Sequence, residues 1–106
     1  MKEYTSRGQT QLLRKLGYAE PKSISDFTEI VDHQGTTFTF DYDYSIGELV
    51  AFIETARPNA PVRIWRDSTT WYVKLEDYVF QNVELIEALY DCCVDIEKGQ
   101  LQNLED

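Results

Sequence analysis

Cysteine is scarce in this chain and poorly placed for stapling: the only two, Cys92 and Cys93, are neighbours. Adjacent cysteines cannot bridge distant segments, which excludes the disulfide scaffold of a small secreted domain and favours a reducing compartment. Histidine occurs once, at His33. Two adjacent thiols and one imidazole do not supply the four spaced ligands of a structural zinc site, so no metal and no cofactor is expected. No long apolar run is present, and the opening "MKEYTSRGQT" carries no apolar segment. Neither a membrane span nor a secretory signal is visible, and a soluble cytoplasmic protein is the expectation. Bases are few, 10 Lys and Arg against 19 Asp and Glu, for a formal net charge of −9. That balance excludes the basic footprint needed to hold nucleic-acid phosphates directly. No glycine-rich phosphate loop and no stretch dense in Pro, Gly or Ser interrupts the 106 residues, so a single domain is expected.

What is present suffices for a core. Hydrophobic residues make up 42% and aromatics 13%, too much apolar material for a disordered chain. The charge is uneven: residues 1–40 hold five acids and five bases, whereas residues 41–106 hold 14 acids against five bases.

"SRGQTQLLRKLG" reads as a helix, with Ser6 and Gln9 at capping-box spacing and Gly17 as its stop. Pro21 and Ser23–Ser25 read as a connector. "DFTEIVDHQGTTFTFDYDY" reads as a hairpin whose second strand alternates Thr37, Thr39, Asp41 and Asp43 with Phe38, Phe40, Tyr42 and Tyr44. Gly35 allows a two-residue turn or a three-residue turn closed by a left-handed glycine, which leaves the register open. "SIGELVAFIETARP" starts with a second capping box, Ser45 with Glu48, and ends before Pro58. "PVRIWRDSTTWYVKL" reads as a second hairpin pairing Ile64 with Val73 and Val62 with Leu75. Residues 76–81 fit either a strand or an early helical turn, and Asn82 is the candidate cap of a last helix running to Lys98, followed by a polar tail, 99–106.

The expected fold is therefore α+β, one domain over 1–106, in the order α-ββα-ββα. Its two hairpins would form a four-stranded antiparallel sheet with two or three helices packed on it. "TTFTF" against "TTWYV" and "ELVAFI" against "ELIEAL" suggest a ββα pseudo-repeat over 26–57 and 61–98.

Two surfaces stand out. At about 100° per residue, Glu84, Glu87, Asp91 and Asp95 form one acidic stripe on the last helix, opposite Leu85, Leu89, Cys92, Cys93 and Ile96. The cysteines thus read as core: only carboxylates lie near them in sequence, and these raise a thiol pKa. The hairpin gathers Arg63, Trp65, Arg66, Tyr72 and Lys74, residue types that commonly anchor protein contacts. Asp41-x-Asp43 and the turn residue His33 belong to no recognisable catalytic set.

The function expected is a non-enzymatic, acidic regulatory module that binds another protein, such as a basic nucleic-acid-binding one, with no direct nucleic-acid or membrane contact. A homodimer is a further option. The alternative is an inhibitor that mimics nucleic acid with its carboxylates, and a small metal-dependent hydrolase ranks below both.

Overall fold

Ser6 opens the first helix as its spacing predicts. Its hydroxyl accepts from the Gln9 amide, and the Gln9 side chain accepts in turn from the Ser6 amide, so two amides with no intrahelical partner are satisfied. This helix, α1 (Arg7–Lys15), is followed by Gly17 at a φ of 105°, a conformation that a residue without Cβ adopts easily. The structure, a computed structural model, describes residues 1–98. The tail expected at 99–106 lies outside the described residues.

Seven further elements follow: β1 (Ser23–Asp32), β2 (Gly35–Asp43), α2 (Ile46–Ala56), β3 (Val62–Arg66), β4 (Trp71–Leu75), β5 (Tyr78–Asn82) and α3 (Leu85–Glu97). The class is α+β with antiparallel pairing throughout, in the order α-ββ-α-βββ-α. The second half runs βββα, one strand more than the expected ββα. Ser45 and Glu48 form the expected capping box on α2, and the staple pair Tyr44 and Leu49 is fully buried.

α3 is the centre of the core. Its Leu85, Ile86, Leu89, Cys92, Cys93 and Ile96 are all buried, packed against β4 and β5 on one side and α2 on another. Val73 and Leu75 come to it from β4, Leu49 and Ile53 from α2, and Leu13 from α1. Each such aliphatic side chain contributes about 1.5–3 kcal/mol on full burial. Helix exits are tied down by polar contacts: the Tyr18 hydroxyl donates to the Cys93 carbonyl at 2.8 Å, and the Tyr44 hydroxyl donates to the Ala19 carbonyl at 2.5 Å.

The four-stranded sheet is not formed. There are two sheets, a two-stranded one of β1 and β2 and a three-stranded one ordered β3-β4-β5. The reason lies in residues 76–81, which are strand from Tyr78 onward. Glu76 and Asp77 make the turn, and Phe80 pairs with Val73 while Val79 and Gln81 point away from the core. β5 therefore occupies the edge of β4 that a joined sheet would have used. The same strand moves the start of the last helix. Asn82 is held extended opposite Trp71, so Glu84 becomes the N-cap residue, and the Asn82 side chain only accepts from the Glu84 amide at 3.0 Å.

The first hairpin is longer than expected because Ser23–Ser25 is strand rather than connector. Asp32 pairs with Gly35, and only the exposed His33 and Gln34 lie between them, so the two-residue turn is the one adopted, with Gly35 opening β2 at a φ of 130°. A bulge at Ser25 lets Ile24 face Tyr42 while Phe27 faces Phe40. Without the extra residue, Ile24 and Phe27 would lie on opposite faces.

Candidate functional site

Three surfaces carry exposed residues of the kind that recognise other molecules. The first is the open side of the three-stranded sheet, turned away from α3. Strand alternation brings Arg63, Trp65, Tyr72 and Lys74 together there, with Val79 and Gln81 beside them on β5. Trp65 and Tyr72 are cross-strand partners and stack with ring centroids 5.2 Å apart and planes 10° from parallel. Trp65 is 43% exposed.

The Tyr72 ring is fixed from its far end, where its hydroxyl donates to Asp67 Oδ2 at 2.7 Å. Asp67 organises the whole β3–β4 turn. Its Oδ1 accepts from the Thr69 and Thr70 amides at 2.9 and 2.8 Å. Its carboxyl is held below the ordinary range by the Thr69 amide first, then by the Tyr72 hydroxyl and the Thr70 amide. Tyr72 is correspondingly raised, chiefly by that bond to Asp67. Among the described residues neither Arg63 nor Lys74 forms an ion pair.

Arg66 does not belong to this surface. It shares the opposite strand parity with Val62 and Ile64, and its guanidinium carbon sits 5.6 Å from the centre of the Trp71 ring on the core side. Its nearness in sequence to Trp65 suggested the cluster, whereas alternation separates them.

The second surface is the acidic stripe of α3, and the N-terminal segment divides it. The Lys2 amide donates to Glu84 at 2.8 Å, the Lys2 ammonium pairs with Glu87 at 2.7 Å, and Gln9 donates to the other Glu87 oxygen at 2.8 Å. Asp91 and Asp95 have no such partners among the described residues. Asp91 lies on the exposed side of α3, yet its carboxyl is raised, first by partial desolvation and then by Glu87 and Asp95 beside it. The four carboxylates share one side of the helix as expected, but half of them already serve the fold.

The two cysteines are fully buried. Burial pushes the Cys92 thiol up to about 12, with Asp95 adding to it, and raises Cys93 as well. Both belong to the core, as their helical phase predicts.

The third surface was not anticipated. β1 and β2 form a ribbon that packs on no other helix or strand beyond its root, and it gives the molecule a length of 62 Å against 34 and 21 Å across. One face carries Ile24, Phe27, Val31, Phe38, Phe40 and Tyr42, all between 43% and 68% exposed. Phe27 lies 6.2 Å from both Phe38 and Phe40, ring centre to ring centre. Glu29, opposite Phe38, is the only charge on that face. Asp26, Asp32, Asp41 and Asp43 lie on the other.

The root of the ribbon is polar. Asp43 is buried and accepts from the Thr10 hydroxyl on one oxygen and from the Ser25 hydroxyl on the other, at 2.6 Å in the latter case. Thr5 joins through its hydroxyl, 2.7 Å from that of Thr10, and accepts from the Tyr44 amide at 3.1 Å. The Arg7 guanidinium lies 3.1 Å from Asp41 and 3.8 Å from Asp43. The D-x-D pair thus faces a cation of the protein itself. Among the described residues no group of three or more His, Cys, Asp or Glu side chains is placed to hold a metal ion, and none of the main surface clefts is lined by Asp41, Asp43 or His33. No helix among them is long and apolar enough to cross a membrane.

Comparison with family models, with curated proteins and with solved structures gives no match.

Proposed function

We propose that this protein is a non-enzymatic interaction module that binds another protein through the open face of its three-stranded sheet. The observation that carries the reading is the Trp65–Tyr72 stack, exposed and flanked by Arg63 and Lys74, neither of which is paired with a carboxylate among the described residues. A rigid aromatic pair supplies contact area at low cost in side-chain freedom, and two uncompensated cations favour a partner that offers carboxylates around an apolar side chain. The net charge of −9 disfavours a nucleic-acid partner at the same face. Buried, unpaired thiols suit a reducing compartment, and the cytoplasm is the location we propose.

The test compares proteins captured from a lysate by the immobilised native chain and by variants. Trp65→Ala and the double change Arg63→Glu with Lys74→Glu are expected to lose the captured partner, while Asp91→Asn with Asp95→Asn retains it. All three side chains substituted in the first two variants point away from the core, so unchanged circular dichroism is the control. A partner held equally well by Trp65→Ala would overturn the assignment of this face.

A further inference from the structure

The apolar face of the β1–β2 ribbon is not explained by the surface just described, and no other helix or strand covers it. An isolated two-stranded hairpin is marginal in water and gains independent stability from further strands or a covering layer. Here the face that needs covering is apolar except for Glu29 and Thr36, while the four aspartates of the ribbon lie on the reverse. That segregation is the pattern of a ribbon with one dry and one wet side.

We infer that the dry side is closed by a second copy of this chain, the two ribbons packing face to face with their tips pointing in opposite directions. Size supports this occupant. With on the order of 200 Å² per aromatic side chain, the exposed part of the six apolar side chains comes to about 500 Å² per copy. Two copies then cover about 1,000 Å² before the ribbon's rim is counted, about the area that a specific interface has to clear. Chemistry supports it too. The face offers no cation and a single acid, so it selects for an equally apolar surface rather than for a charged partner, and its own duplicate is such a surface.

Charge sets the orientation. With tips aligned, two bodies that each carry −4 of the −9 charge, 14 acids against 10 bases outside residues 23–43, would lie side by side, whereas with tips opposed they sit at opposite ends of the paired ribbons. Phe27 and Phe40, which face each other near the middle of the apolar row, then lie close to the two-fold axis.

Sedimentation equilibrium of the full chain tests this across micromolar to submillimolar concentrations at physiological salt. The native protein is expected to be a dimer that Phe40→Asp weakens on the order of 100-fold, as removal of a central anchor does. Glu29→Val is expected to tighten the dimer and Trp65→Ala to leave it unchanged, which separates this interface from the partner surface proposed above. Phe38→Thr serves as the second weakening variant should Phe40→Asp alter circular dichroism. Gln34→Cys places a thiol at the tip, and no tip-to-tip disulfide is expected on mild oxidation. A native monomer throughout, a dimer indifferent to both Phe40→Asp and Phe38→Thr, a dimer lost in Trp65→Ala, or ready tip-to-tip cross-linking would each overturn the inference.

Discussion

Arg57 Nε lies 3.3 Å from the Glu76 carboxylate as an ion pair, and Glu76 is the one residue with a side chain, among those described, that holds a left-handed backbone, at a φ of 57°. The pair links the exit of α2 to the turn that makes β5 possible. Left-handed backbone costs about 1–2 kcal/mol for a residue with Cβ, whereas a partly exposed ion pair returns about 1 kcal/mol or less. Glu76→Gly and Glu76→Ala lose the pair equally, but only glycine relieves the backbone. Urea unfolding is expected to rank glycine above alanine by about 1 kcal/mol. Equal midpoints would show that the turn is not strained.

The buried carboxylate of Asp43 depends on two hydroxyls and a guanidinium. Thr10→Val keeps the shape of the side chain but strips one oxygen of its donor. A loss of about 1–3 kcal/mol is expected, the cost of leaving a buried acceptor unsatisfied. Thr28→Val, on the ribbon's solvent-facing side, is the control and changes stability little. Denaturant midpoints for the two variants give the comparison.

Alkaline pH is expected to unfold the protein early. Cys92 is raised by burial from 9.0 to about 12, Tyr44 by burial from 10.0 to about 12, and Cys93 and Tyr18 are raised as well. Above about pH 9 the unfolded chain releases these protons while the folded chain keeps them, so unfolding becomes easier with each further rise. Stability contributed by these groups is complete below about pH 9 and is lost progressively towards pH 12. Urea midpoints taken from pH 8 to 11 should fall, and Cys92→Ala with Cys93→Ala should shallow the fall. In the native state at pH 8 neither thiol is expected to react with a thiol reagent before unfolding; rapid modification would contradict the packing of α3.

Glu48 accepts from the Ser45 amide at 3.0 Å, from the Lys22 amide at 2.9 Å and from the Ser23 hydroxyl, so it closes a helix cap and anchors the start of β1 together. Partial burial alone would raise its carboxyl, but these hydrogen bonds outweigh that effect and hold it below the usual range. The contribution is present above the ordinary carboxylate pKa and is lost as pH falls through the depressed value. Glu48→Gln is expected to cost about 1.5–3 kcal/mol at neutral pH, with the difference from the native protein narrowing in acid. A constant difference down to pH 3 would mean that charge plays no part.

Much of the fold is legible from local chemistry. Both capping boxes, the glycine stop of α1, the Ile64–Val73 register and the buried phase of Cys92 and Cys93 depend on neighbours within a few residues, and each is found in the structure. What escapes prediction depends on distant partners. Nothing near Glu84 and Glu87 in sequence announces that Lys2, more than 80 residues away, will occupy them. Whether β4 accepts a third strand or a second hairpin is a competition for one edge, and alternation reads the same in either case. "TTFTFDYDY" is equally ambiguous, because a strand facing a core and a strand facing solvent share one pattern until the covering layer is known. Arg66 is different in kind, since alternation alone places it opposite Trp65.

The ribbon is joined to the body by polar contacts, those of Thr5, Thr10, Ser25, Asp43 and Arg7 and that of Ser23 with Glu48, rather than through shared apolar packing. Two parts connected in this way need not melt as one. In a single copy, the ladder between β1 and β2 opens by its own local fluctuation, while amides of α3 are released only when the whole core comes apart. Native-state hydrogen exchange should therefore sort the chain into two cooperative units whose boundary falls at Asp43 and Tyr44, one residue apart in sequence and on opposite sides of the divide.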